Sequence, residues 1–264
     1  MPNTRPLPQQ AAQPPQPGQR SRPGRARRYL KRAAVTLGSV IVVLAIAAGV
    51  LWVLTPSASE ATQLAAAEAK QHGIAYPGPN VPENFARPLV ATEDHRFYSE
   101  PGVDVLAVGR VAWSKVTNGS DQGGATLEQQ LAKLLYTPGR TGWETELKQV
   151  TLAVKLNVAY SKQQILTLYA EVAYYGHGFY GIEAASCGYF GHPAKDLTIV
   201  QGAMLAGVVN APSVDDPISD PVSARARLGH VIARMEAVGY LTPAQAQQAL
   251  EAPLGLAAHN NPHC

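Results

Sequence analysis

Apolar positions along the chain follow two patterns. From Ala33 to Leu54 they run unbroken, twenty-two residues without a charge (AAVTLGSVIVVLAIAAGVLWVL). A helix rising about 1.5 Å per residue needs about 20 such residues to cross roughly 30 Å of hydrocarbon. The run therefore predicts one transmembrane helix over 33–54. Its rival is a cleaved signal peptide, whose apolar stretch usually covers about 7–15 residues, with Ser57, Ala58 and Ser59 as small residues near a cut. Beyond residue 60 apolar residues return every three or four positions, and no stretch alternates with the period of two that marks a strand. Helices are predicted at Ala61–His72, Asp104–Thr117, Thr126–Tyr136, Trp143–Ala159, Ser161–Ala173, Tyr180–Tyr189, Thr198–Val208, Pro221–Val238 and Thr242–Leu250. The Pro-rich YPGPNVPENFARP is predicted as a connector. Ser161, Asp196 and the Thr242-Pro243 pair are the expected caps, and Gly191 and Gly239 the expected stops.

The organisation that follows is a disordered basic tail (1–32), the transmembrane helix (33–54), a juxtamembrane helix and linker (55–73), one globular helical domain (74–252) and a short tail (253–264). With 46% hydrophobic residues in 264, the chain can bury one good core. The tail is rich in Pro, Gln and Arg and nearly devoid of apolar residues, so it cannot offset its chain entropy by burial.

Charge changes the picture. Eight of the 22 Lys and Arg precede the span, and none of the 19 acids does. The positive-inside rule then places the N-terminus in the cytoplasm and the domain outside. Past the span 14 basic residues face 19 acids, so the pI of 8.8 belongs to the tail. Juxtamembrane basic clusters orient helices and meet anionic lipid, and a nucleic-acid partner is not expected. Cys187 and Cys264 have no metal-type spacing; a disulfide is permitted outside the cytoplasm but not indicated, and Cys187 reads as an inert core residue in an Ala-rich stretch.

Three segments could carry chemistry. In Thr92-Glu93-Asp94-His95-Arg96-Phe97-Tyr98 two carboxylates end an apolar run, where an acid is also an ordinary cap. In Gly123-Gly124-Ala125-Thr126-Leu127-Glu128-Gln129-Gln130-Leu131-Ala132-Lys133 a flexible loop feeds a helix whose free N–H groups and nearby Lys suit a pyrophosphate, and equally an ordinary loop-to-cap junction. In Tyr160 to Ile182 the residues Ile165, Leu168 and Tyr169 are spaced for a buried face. His177 lies in a Gly-rich turn without a second ligand at zinc-motif spacing, so no transition-metal site is expected.

Together the three, in the order EDHRFY, GGATLEQQLAK and YSKQQILTLYAEVAYYGHGFYGIEAASCGYFG, resemble glycosyltransferase family 51, the peptidoglycan glycosyltransferase module of penicillin-binding proteins and monofunctional transglycosylases. LTIVQGAMLAGVVNAPSVDDP and ARARLGHVIARMEAVGYLTPAQA resemble that family's C-terminal helices, and the likeness covers about residues 74–250. It implies a mostly α, lysozyme-like domain with a small membrane-contacting lobe near Val103–Val116, beside one transmembrane helix. It also implies a monofunctional form, lipid II and undecaprenyl-linked glycan as substrates, the cytoplasmic membrane and penicillin-binding transpeptidases or other cell-wall synthesis proteins as partners, and Mg²⁺ or Mn²⁺ as the only cofactors.

On that resemblance Glu93 matches the catalytic base. Asp94, Phe97, Thr126, Gln129, Gln130, Lys133, Arg140 and Lys148 are the expected substrate-binding residues. The departures are Glu100 for a histidine, Ala125 for a serine, Glu128 for a threonine, and Thr145 and Glu146 for an Arg-Lys pair. Gln149 stands in place of the second catalytic glutamate. Glu171 is a candidate surrogate, whereas Glu146 and Glu128 are expected to be solvated surface acids. Three functions are compatible with this pattern: an attenuated transferase on lipid II, a degenerate lipid II-binding or scaffold module, and, more remotely, a lysozyme-like glycan-cleaving enzyme.

Overall fold

A computed structural model describes residues 23–104, 124–258 and 261–264. Its first helix, α1 (Pro23–Leu54), begins ten residues before the apolar run. Residues 23–32, expected in the disordered tail, are therefore helical; Pro23 is pre-set for a first turn, and the Arg, Lys and Ala that follow are good helix formers. The helix is long and apolar enough to cross a membrane, with a mean hydropathy of 2.7 in its most apolar window and none of that window buried. Val35, Ile41, Val43 and Ile46 are all more than half exposed. A helix apolar on every face has lipid as its natural solvent.

The described residues divide into two units at Leu51. In the second, a 3₁₀ turn (Ala58–Glu60) leads into α2 (Ala61–Gln71), followed by α3 (Glu83–Glu93), α4 (Leu127–Tyr136), α5 (Trp143–Ala159), α6 (Lys162–Val172) and α7 (Ile182–Phe190). A second 3₁₀ turn (Ala194–Asp196) precedes α8 (Ile199–Val208), α9 (Pro221–Ala237) and α10 (Pro243–Glu251). Among the described residues there is no strand, only an isolated bridge between Tyr174 and Tyr180. The expected mostly α class holds. The predicted helix 104–117, and with it the membrane-contacting lobe, falls largely outside the described residues.

Four helices start with the same device. Thr126, Ser161, Thr198 and Thr242 each accept from the amide three residues on, where a Gln side chain reaches back to the cap amide. This reciprocal capping satisfies two otherwise orphaned donors. Asp196 is not a helix cap as expected; it ends the second 3₁₀ turn, because Thr198 and Gln201 supply the better cap two residues later.

α3 corrects the sequence reading, in which its first half lies in the connector. Pro88 sits inside it and removes the N–H that Asn84 O would otherwise receive. That carbonyl lies against Gly202 of α8, so close that a Cβ there would stand 1.8 Å from it. Asn84 Nδ2 also donates to Leu197 O at 2.7 Å. The proline thus frees a carbonyl where two helix backbones touch. α8 is the hub, buried from Val200 to Val208, with α3 and α9 packed against it. α4 packs on α5 and α6, and α2 on α6.

Within the second unit, Lys155 of α5 donates to Thr55 O at 2.8 Å and Pro56 O at 3.0 Å and lies 5.2 Å from the Trp52 ring centre. At the other end, Cys187 and Cys264 form a disulfide, with Cα atoms 5.4 Å apart. Cys187 is therefore not an inert core residue. A lone thiol in an apolar stretch and a half-cystine leave the same trace in a sequence; Ala257 N donating to Tyr189 O at 2.8 Å lays the C-terminal segment along α7 and brings the second sulfur in.

Candidate active site

Glu93 is the last residue of α3, where the helix dipole is negative and a carboxylate is disfavoured without a counter-charge. Arg227 of α9 supplies one, its Nη2 donating to Glu93 Oε1 at 3.1 Å. Gln130 of α4 donates to Oε2 at 3.0 Å, and Asn210, just past α8, donates to both oxygens at 3.1 Å. The Glu93 side chain is 8% exposed, while Asn210 is at the surface, so the carboxylate has two inner partners and one outer partner. Each inner partner is itself aimed. Tyr169 donates to Gln130 Oε1 at 2.9 Å, which turns the NH₂ end of the amide toward Glu93. Burial, and secondarily the charge of Glu93, push the Tyr169 hydroxyl well above the usual tyrosine range, so it stays a donor. Arg227 Nε donates to Gly207 O at 3.3 Å and lies 3.9 Å from Asp215 Oδ2. A Cβ on Gly207 would meet the Arg227 stem at 2.9 Å, so the glycine makes room for it.

Behind Glu93 lies a second polar group. Asp94 accepts the first amide of α4, Leu127 N, at 3.1 Å. Burial, with Glu100 beside it, pushes Asp94 up to about 7. Glu128, expected on the surface, is fully buried; Lys162 Nζ donates to its Oε1 at 2.5 Å and to Glu100 O at 2.8 Å. A first-turn acid with an apolar helix after it looks solvated in sequence, and only the fold brings Lys162 over it. Thr126 caps α4 and donates to Gly102 O at 2.9 Å, and Gln129 completes the cap. Gly102 must be glycine: its φ is +84°, and a Cβ would stand 2.7 Å from Ala153 O.

Of the residues expected to bind substrate, then, Gln130 joins Glu93, while Asp94, Thr126 and Gln129 serve the helix junction. Phe97 is wholly buried under Lys162, whose Nζ is 4.5 Å from the ring centre, which leaves no ring surface for a ligand. Lys133, Arg140 and Lys148 are exposed along the end of α4 and the start of α5. Gln149 donates to Thr137 Oγ1 at 2.8 Å, tying α5 to the end of α4. Glu171 is buried, and its Oε1 accepts Gly78 N at 2.5 Å; it shares no described partner with Glu93. Glu146 is exposed.

Arg227, Asn210 and Lys162 were not singled out from the sequence. For Arg227 a signal existed: Ala224, Leu228, Val231 and Met235 form the buried stripe of α9, and a charge three residues after the first and four before the third falls on that stripe.

A family model described as Transglycosylase matches residues 60–236. The chain is 37% identical over 177 residues to penicillin-binding protein 1F of Bacillus subtilis, a match covering 67% of this chain and 25% of that protein. To penicillin-binding protein 1A of Mycobacterium tuberculosis it is 36% identical over 167 residues, covering 62% and 20%. A solved structure of penicillin-binding protein 1A from Haemophilus influenzae aligns at 32% identity, covering 37% of this chain and 15% of that one, with a TM-score of 0.35. The aligned region thus corresponds to about a quarter of the length of curated relatives such as the B. subtilis protein. With most of the helical domain inside the matched region, from α2 to the last turn of α9, the chain belongs to the transglycosylase family, glycosyltransferase family 51.

Proposed function

We propose that this protein is a peptidoglycan glycosyltransferase that polymerises lipid II, with Glu93 as its acid–base carboxylate. One observation carries the reading: Glu93 is held from inside by Arg227 and Gln130 and from outside by the exposed Asn210. An incoming hydroxyl can replace the outer amide without disturbing the inner pair. In the reaction the acceptor's 4-hydroxyl oxygen bonds to the anomeric carbon of the donor as its bond to pyrophosphate oxygen breaks. The proton passes to Glu93, and the electron pair leaves with undecaprenyl pyrophosphate. The exposed Lys133, Arg140 and Lys148 would draw that anion. Mg²⁺ or Mn²⁺ does not fit at Glu93, because both its oxygens have donors and Gln149 offers an amide. The anchor would lie in the cytoplasmic membrane with the domain outside, as the basic tail directs.

The binding-module reading draws its support from Gln149. The position that should hold a second carboxylate is neutral and engaged with Thr137. Full-length protein in detergent with labelled lipid II separates the two. Glycan polymer that disappears in Glu93→Gln is expected; lipid II binding with no polymer would sink the transferase reading. If the missing carboxylate is what attenuates turnover, Gln149→Glu raises it, on the order of the 10²–10⁴-fold that a general base contributes.

A further inference from the structure

Asp94, Glu100 and Glu128 come from three places, the end of α3, the loop after it and the first turn of α4, and each offers an oxygen within 4.8 Å of the others. All three are buried, at 8%, 9% and 0% exposure. Both carboxylate oxygens of Glu100 and Oε2 of Glu128 are sealed from solvent and have no hydrogen-bond partner. Buried carboxylates are ordinarily paired, hydrogen-bonded or ligated, because burying bare charge costs several kcal/mol. Among the described residues the positive charge nearby falls short. Lys162 contributes one positive charge, and the N-terminus of α4 adds about half of one through the Leu127 amide. Arg96, in the described part of the loop, pairs with Asp104 instead. Three carboxylates against Lys162 and that half charge leave this closed space short of positive charge among the described residues.

We propose that Asp94, Glu100 and Glu128 form a binding site for one hard divalent cation, Ca²⁺ in preference to Mg²⁺, that joins the end of α3 to the start of α4. A closed set of protein carboxylates suits Ca²⁺, because Mg²⁺ gives up its waters reluctantly and is seldom held in an all-protein cage. The site is separate from Glu93, whose oxygens are filled by Arg227, Gln130 and Asn210. Two of its three ligands are departures from the family, which the resemblance expects to carry histidine and threonine at positions 100 and 128. The cation would brace the junction that sets Glu93 of α3 against Gln130 of α4.

The test uses the full chain, stripped with chelator, in a neutral sugar detergent at pH 7.5. Isothermal titration with Ca²⁺ should give one ion per chain with a Kd on the order of 10⁻⁴ M. A tenfold excess over Kd should raise Tm by roughly 3–6 °C. Glu100→His and Glu128→Thr, which install the residue types the family uses, should keep the helical circular dichroism and weaken Ca²⁺ binding tenfold or more. The proposal is overturned if the folded, stripped protein shows neither heat nor a Tm shift with Ca²⁺, Mn²⁺ or Mg²⁺. It is equally overturned if both variants bind as wild type does, which would put the ion elsewhere. A wild type indifferent to metal but stabilised by Glu100→Gln would show that Asp94 and Glu100 share a proton, and the cation idea would fall.

Discussion

The environments of Glu93 and Glu171 separate them from each other more clearly than their residue type does. Removing the guanidinium in Arg227→Met leaves the Glu93 carboxylate nearly buried and without a charged partner, a loss of roughly 3–5 kcal/mol. Denaturation of the variant should show that drop, and polymer synthesis should fall with it. Glu171 behaves oppositely. Burial raises its pKa above the ordinary value, against a weaker lowering by the Gly78 amide. A carboxyl whose folded-state pKa lies above its unfolded value contributes fully to stability below the unfolded value, and that contribution is lost as pH rises through the folded one. Glu171→Gln keeps an oxygen for Gly78 N and removes the cost of ionisation, so its Tm should exceed that of wild type at pH 8 and converge with it toward pH 4. Were Glu171 instead a surrogate catalytic acid, the same substitution would abolish polymer synthesis.

Elements were legible where one sequence rule acted alone. The four Ser/Thr-x-x-Gln boxes include the two starts read from Ser161 and Thr242, and the charge-free run marked the long apolar part of α1. Legibility failed where two rules conflicted. The first half of α3 contains Pro88 and follows a Pro-rich segment, so local chemistry spoke for a connector, whereas tertiary contact between Asn84 O and Gly202 makes a helix the better state. Glu93, Gln130 and Gln149 were located only through the resemblance, which the short blocks around Glu93 and Gln130 carry. Arg227 and Asn210 reach Glu93 across 134 and 117 residues, a distance no local pattern encodes. The α3–α8 contact makes a prediction of unusual sign. In most helices Gly→Ala gains about 1 kcal/mol of helix propensity. Gly202→Ala should instead lower Tm, with an overpacking cost of about 1–3 kcal/mol or more, because its Cβ would meet Asn84 O at 1.8 Å.

Across the molecule, the Cys187–Cys264 link closes a loop of 77 residues that contains α8, α9 and α10. Chain-entropy arguments give such a closure up to about 4 kcal/mol, or on the order of 10 °C for a domain of this size. Reductant, or Cys264→Ser, should lower Tm by that order; an unchanged Tm would mean that the C-terminal segment docks without its covalent tie.

The span of sequence between Glu93 and Arg227 also sets an order of events. A chain made from its N-terminus presents α3 early, but α8 and α9, against which α3 packs, come well after it. Until residue 227 has emerged, Glu93 lacks its guanidinium partner, and the end of α3 has little to fold against. The surroundings of Glu93 are therefore completed late, and a chain interrupted before residue 227 would leave that carboxylate without its guanidinium.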